Sequence, residues 1–352
     1  MPAGPLTTVG IGDDAAVVAA PSGSVVAAVD QVIEGRHFRP EWSSAYDVGV
    51  KAAARSLADV AAMGAVNTAL LVAFAAPGTL PASWATALAD GLAAEATRAG
   101  AGVVGGDTAR ADTVTISVTA LGDLEGRQPV CRSGARPGDV LAVAGPLGRS
   151  AAGLALLATG IVPASAGSTG RDGTSGQSPE RDDSAPITPA ALVAAHLRPA
   201  PAYDAGPEAA RLGATALIDV SDGLLADVGH VAAASGVRVD IRSAALPAAA
   251  LAVAAAAVSA AVSPGSPVSP AGPPADPAAG PSAGQPAGVA APAAMALDWV
   301  LTGGEDHALV AAFPPAVRLP GRWRVIGEVR SGEGVTVDGV RYSGQGGWQH
   351  FR

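Results

Sequence analysis

One cysteine, Cys131, stands in a chain of 352 residues. That excludes an intrachain disulfide and a zinc site built on paired cysteines, and it fits a reducing cytosol. Aromatic residues make up only 3% and charged residues 15%, so Ala and Val carry most of the 49% hydrophobic share. Lys51 is the one lysine; every other basic residue is arginine, and the Ala/Gly/Pro/Arg excess reads as codon bias. The formal net charge of −9 lacks the basic surplus that nucleic acid or an anionic membrane attracts, so neither is expected as a partner. No charged-then-apolar leader opens the chain, and Ala-rich 244–262 is too weakly hydrophobic to span a bilayer. A soluble, cytoplasmic protein is expected.

Several catalytic signatures are missing too. There is no GxxxxGK followed by Ser or Thr, no HRD with DFG and no HExxH. A P-loop enzyme is therefore excluded, and any nucleotide must sit on a different scaffold.

Two stretches stand apart in composition. Residues 163–189 are Ser/Gly/Asp-rich, and residues 263–294 are Pro/Ala/Gly repeats. Neither can bury enough apolar surface to offset chain entropy, so both are expected to be disordered insertions. The second has no clean PxxP array with basic flanks, which a Pro-rich partner ligand would carry. Elsewhere short strands and helices alternate, predicting two α/β or α+β domains, 1–136 and 137–352, divided near the polar turn Arg132–Asp139. In the first half the pattern predicts a strand at Val25–Asp30, an amphipathic helix over 46–63 and a strand over 67–74. A helix capped by Thr79 then runs to Arg98, and strands 101–104 and 113–121 flank a Gly-Gly-Asp-Thr turn. The second half predicts strands at 140–144 and 214–219 and helices at 149–159, 188–197 and 206–212. Ser221 then caps a helix of 222–234 ended by Gly236, with two or three strands within 307–340.

Acidic residues recur where apolar strands end or Gly-rich turns begin. They are Asp13 and Asp14 in GIGDDAAVV, Asp30 after VVAAV, Asp107 in VVGGDT, Asp219 and Asp222 in ALIDVSDG, and Glu305 and Asp306 in LTGGED. A single Asp beside Gly is more often a turn former or cap, and Asp222 could simply serve its helix's first turn. Recurrence in both halves of a charge-poor chain lifts the set. Asp59, mid-helix in SLADVAAMG, either faces solvent or a metal. Hard carboxylate oxygens without thiolates or a His cluster suit Mg²⁺ bridged to phosphates, not zinc or iron. His37 in EGRHF is the one histidine among acidic, basic and aromatic neighbours, although a lone loop His is usually a surface residue. The residues by themselves read as a Mg²⁺-dependent phosphate enzyme without a P-loop.

Seven segments, in order, carry a resemblance. They are GIGDDAAV (10–17), VDQVIEGRHF (29–38), KAAARSLADVAAMGA (51–65), GGDTAR (105–110), RSGARPGD (132–139), IDVSDGLLADVGH (218–230) and LTGGEDHAL (301–309). Together they resemble the thiamine-monophosphate kinase family, within the superfamily of aminoimidazole ribonucleotide synthetase, over nearly all of the chain except the two insertions. The resemblance implies a two-domain α/β (α+β) fold. An N-terminal ATP/Mg-binding domain pairs its sheet with a second copy in a barrel-like homodimer, and a C-terminal α/β domain covers the site. It implies transfer of the γ-phosphate of ATP to thiamine monophosphate by in-line displacement with several Mg²⁺ ions.

Matched by motif, Asp14, Asp30, Asp59, Asp107, Asp219 and Asp222 resemble the metal ligands, with Val29 able to add only its backbone carbonyl. Asp107 and Arg132 resemble the catalytic pair; Gly106, Asp107, Arg132 and Ser221 resemble the nucleotide contacts. His37, Glu305 and Trp348 resemble the acceptor contacts, although Trp348 serves equally as an apolar anchor. Three departures stand out. Ala28 and Val29 replace polar residues, His307 and Ala308 replace Tyr and Glu, and a longer segment is expected ahead of Gly10. Selenophosphate synthetase and the hydrogenase-maturation factor both need a cysteine that is absent here, while EGRHF and SLADVAAMGA point away from aminoimidazole ribonucleotide synthetase itself. A non-catalytic ATP-binding homologue is the alternative of a different class, and the intact aspartate motifs argue against it.

Overall fold

The structure, a computed structural model, describes residues 4–9, 15–161, 187–261, 291–342 and 347. A short ribbon, β1 (Thr7–Val9) with β2 (Val17–Val18), precedes a four-stranded sheet. That sheet is built from β3 (Val26–Ile33), β4 (Val66–Ala76), β5 (Gly102–Arg110) and β6 (Thr115–Asp123), in the order β3-β6-β4-β5. Helices α1 (Ala45–Ala62) and α2 (Ala82–Arg98) pack on one face of it. β4 and β5 are parallel because α2 crosses between them; the other pairs are antiparallel.

The start of α1 is written in Ser44-x-x-Asp47. The Ser44 hydroxyl accepts from the Asp47 N–H at 3.2 Å, and Asp47 accepts from the Ser44 N–H at 3.0 Å, a reciprocal capping box. α1 and α2 lie close enough that a Cβ on Gly49 would meet the Leu88 carbonyl at 2.2 Å, and one on Gly91 the Tyr46 carbonyl at 2.2 Å.

The chain leaves the first sheet at Asp123 and enters a second at β7 (Val140–Ala144). Its other strands are β8 (Ala216–Asp219), β9 (Arg238–Ile241), β10 (Leu309–Phe313), β11 (Arg324–Arg330) and β12 (Gly334–Val337). The order is β12-β9-β11-β7-β10-β8, antiparallel except for β12 beside β9. Its helices are α3 (Arg149–Ala158), α4 (Pro189–Leu197), α5 (Ala205–Leu212), α6 (Leu224–Ser235), α7 (Ala248–Ala261) and α8 (Pro292–Thr302).

Alternation along the central strands splits the apolar residues between two cores. Ala142, Ala144, Leu217, Leu309, Ala311 and Phe313 join α1, α2 and the first sheet. Leu141, Val143, Ile218, Val310 and Ala312 face the other way, onto α3, α4, α6, α7 and α8. α1 touches both the first sheet and β8, so it is buried nearly all round, not amphipathic as its spacing predicts.

Several expectations are corrected. Gly-Gly-Asp-Thr is no turn: β5 runs straight through it to Arg110. Its glycine serves close approach instead, since a Cβ on Gly106 would meet the Val72 carbonyl at 1.9 Å. Asp30 lies within β3 and not at its end, because the strand continues to Ile33. The N-cap of α2 is Pro81, not Thr79, and that of α6 is Gly223, not Ser221. At α6 the Asp227 carboxylate takes the capping role from inside the helix, accepting the N–H groups of Asp222 and Gly223 at 3.0 and 3.1 Å. The expected disordered span to 294 runs too far, for α8 begins at Pro292; likewise Thr188 caps α4 within the span that ends at 189. Residues 163–186 and 263–290, and with them the rest of those two expectations, lie outside the described residues, as do Asp13, Asp14 and Trp348. No helix of the described residues is long and apolar enough to cross a membrane.

Candidate active site

The site is assembled from one helix, one strand and three loops. Lys51, Arg55 and Asp59 are spaced four residues apart on α1 and therefore share one face. Asp30 of β3 aligns in register with Val118, Val72 and Gly106 on the face that carries the helices, and its Oδ1 lies 3.6 Å from Arg55 Nη2.

From the second sheet, β8 ends in Asp219 and turns through Ser221 and Asp222 into α6. The Gly303–His307 loop is laced to that turn: the Glu305 N–H donates to the Ser221 carbonyl at 2.8 Å and the His307 N–H to the Val220 carbonyl at 2.9 Å. The approach requires Gly304, where a Cβ would meet the Ser221 carbonyl at 2.4 Å. It also holds Glu305 and His307 at φ 64° and 51°, a left-handed conformation that costs non-glycine residues about 1–3 kcal/mol and persists only where the surroundings enforce it. Lys51 Nζ reaches Glu305 Oε2 at 2.7 Å, and Arg55 Nη1 pairs with Glu305 Oε1. α1 is thereby tied to the second sheet's loop by charge.

The charges shift one another. Burial first, then the Asp219 and Asp30 carboxylates, pushes Asp59 up to about 8. Burial, then Asp219 and Asp222, likewise pushes Asp227 up to about 8. For Glu305 burial acts upward, but Lys51 and Arg55 outweigh it and hold the carboxyl well below its usual range. Burial, reinforced by Arg55, lowers His37 to about 4, so its imidazole is neutral. The His37 Nδ1 accepts from the Ile33 N–H at 3.0 Å, which places the ring proton of the neutral imidazole on Nε2. Asp219 Oδ2 lies 3.1 Å from His307 Nδ1, a partner that fixes the carboxylate's direction.

Among the described residues no three carboxylates or imidazoles close into a metal cage. The donor set still suits Mg²⁺. The Asp219 and Asp30 carboxylates oppose the charge of Asp59, a repulsion that a divalent cation relieves, and Mg²⁺ keeps several waters and binds through one or two carboxylates.

Residues 12–124 match the family model of AIR synthase related protein, N-terminal domain. The thiamine-monophosphate kinase of Mycobacterium tuberculosis is 44% identical over 346 residues, spanning 97% of this chain and 85% of the relative. The chain belongs to the thiamine-monophosphate kinase family. The thiamine-monophosphate kinase of Corynebacterium glutamicum is 34% identical across 97% of this chain and 88% of its own length. Among solved structures, the thiamine-monophosphate kinase of Stenotrophomonas maltophilia superposes with a TM-score of 0.72 at 29% identity, covering 96% of this chain and 93% of that one. AaThiL complexed with AMPPCP and TMP gives 0.71 at 29% identity, covering 97% and 92%. The fold is therefore the two-sheet α/β fold of the thiamine-monophosphate kinases, and the chain is an ATP-dependent kinase of that family.

The family's motif positions divide into two groups here. Asp30, Asp59, Asp219, Asp222, Ser221, Glu305 and His37 gather where α1 meets the loops of the second sheet. Val29 and Asp107 do not join them: their register with Thr119 and with Ala73 and Ser117 puts them on the opposite, open face of the first sheet. Gly106 precedes Asp107 in β5, in register with Asp30, and is exposed. Arg132 is exposed as well, its carbonyl accepting from Ser235 at the far end of α6 from Asp222; that helix of 12 residues is about 18 Å long. Sequence reasoning passed over Lys51, Arg55 and Asp227. The four-residue spacing of Lys51, Arg55 and Asp59 was the available signal for the first two; Asp227 had none beyond following Asp222 by five.

Proposed function

We propose that this protein phosphorylates thiamine monophosphate with ATP, giving thiamine diphosphate and ADP, with Mg²⁺ as its metal. The observation that carries the reading is the crowding of Asp59, Asp30 and Asp219 beside the cation-held Glu305, in a chain of this family. Asp30, Asp59, Asp219 and Asp222, joined by Asp14, would hold Mg²⁺, and the bound ions supply charge neutralisation between two polyanions. The acceptor is a phosphate monoester with a second pKa of about 6, so it is already nucleophilic at neutral pH. No general base is required, which fits a site whose neutral His37 imidazole already accepts a hydrogen bond at Nδ1. Its Nε2–H donates to the acceptor, and Glu305 accepts from the acceptor's N–H groups, with Trp348 stacking on a ring. Ser221, Gly106, Asp107 and Arg132 contact the nucleotide.

The open face of the first sheet leaves Val29 65% and Leu71 39% exposed. A second copy packing there makes a homodimer and brings Asp107, Val29 and Gly106 to the subunit junction, where ATP binds. Purified protein with Mg-ATP is expected to convert thiamine monophosphate to the diphosphate, and Asp107→Ala to abolish turnover while leaving the fold intact. Turnover of another phosphorylated acceptor without turnover of thiamine monophosphate would sink the assignment.

A further inference from the structure

Lys51, the only lysine of the chain, is 2% exposed at its side chain. A lysine so deep is costly unless its ammonium is fully engaged. It reaches two segments far apart in sequence: Glu305 Oε2 at 2.7 Å and the His37 carbonyl at 3.3 Å. Nearby His196, held in α4 with its Nδ1 3.0 Å from the Ser150 hydroxyl, is lowered to about 3 by burial and then by Lys51, so it adds no competing charge. Arg55 occupies the other Glu305 oxygen, so each carboxylate oxygen has its own cation.

The arrangement is one-sided. The side chains of Lys51 and Arg55 are 2% and 12% exposed, but that of Glu305 is 22% exposed. The carboxylate is thus the most accessible member of the trio, with both cations more deeply buried than it is. A plug serving stability alone needs no such polarity, since a well-packed apolar group does as well. Glu305 also sits on a left-handed backbone, and Lys51 and Arg55 together hold its carboxylate.

We propose that Lys51 is a positioning residue for the acceptor, fixing the Glu305 carboxylate and the His37 loop at one spacing so that both meet the acceptor together. The inference rests on the reading of Glu305 and His37 as acceptor contacts. Lys51 itself stays behind them and touches no substrate.

Steady-state kinetics on the full-length enzyme test it with Lys51→Met, Glu305→Gln and the double variant. Lys51→Met is expected to raise the KM for thiamine monophosphate about tenfold, with the KM for ATP changed less than about threefold. The double variant is expected to lose clearly less than the sum of the two single losses, because the lysine acts in large part through that carboxylate. Additive losses, or equal losses toward ATP and acceptor, overturn the positioning role. An unchanged acceptor KM in folded Glu305→Gln overturns the underlying contact reading instead. If Lys51→Met does not fold, Lys51→Gln is read the same way; failure of both to fold makes the lysine purely structural and overturns the proposal.

Discussion

Asp59 is the residue whose surroundings say most. Burial and the neighbouring Asp219 and Asp30 raise it to about 8, so its carboxylate form is strained without a cation. Asp59→Asn is expected to keep or raise the melting temperature of the metal-free protein, yet to lower turnover by about 100-fold or more. Mg²⁺ should also raise the melting temperature of the variant less than that of wild type, because binding to the native state is what stabilises it. A melting curve with and without Mg²⁺ checks both. His37 gives a pH-dependent expectation. Its folded value lies near 4 against an ordinary 6.5, so the native state binds fewer protons than the unfolded chain. The stability tied to its neutral form is complete above pH 6.5 and is lost as pH falls through 6.5 toward 4. Urea unfolding at pH 7 and pH 4.5 should therefore cost wild type more stability than His37→Asn. Nothing in the sequence around His37 forecasts its burial, because the groups that enclose it come from α1 and the Glu305 loop.

At the scale of elements, the helices were the legible part. α1, α3, α4 and α5 fall within a residue or so of their expected bounds, since capping residues and apolar spacing are local signals. The strand through Gly-Gly-Asp-Thr was not legible: glycines punctuate turns and close strand approaches alike, and only the neighbouring Val72 backbone decides between them. Close approach also governs the α1–α2 contact. Gly91→Ala is expected to cost about 1–3 kcal/mol by overpacking against the Tyr46 carbonyl, read as a shift in urea midpoint. Replacing residues 263–290 by a short Gly/Ser linker should leave activity within about twofold. Carrying the deletion to 294 should lower stability measurably, because Pro292 begins α8, whose Ala296 and Val300 are wholly buried.

At the scale of the molecule, α1 is the hinge of the design: it underlies the first sheet, touches β8 and presents Lys51, Arg55 and Asp59 to the loops beyond. The two cores lie on opposite faces of the second sheet's central strands. The open face of the first sheet stands apart from this packing. Introducing Glu at both Val29 and Leu71 is expected to turn a dimer into a monomer in light scattering and to abolish activity with it, since charge on that face opposes burial. A monomeric wild type, or a dimer that persists in the variant, would remove the proposed junction.

The sequence alone determined the reaction class. Its aspartate motifs, its missing P-loop and its seven ordered segments depend on residue identity, and identity is what a sequence carries. Only the tertiary structure decided which of those aspartates are neighbours. Asp30 and Val29 are adjacent in the chain but point to opposite faces of a strand, while Asp59 and Asp219 are far apart in sequence and repel each other across the α1–β8 contact. Electrostatic coupling follows distance and burial, which are set by packing.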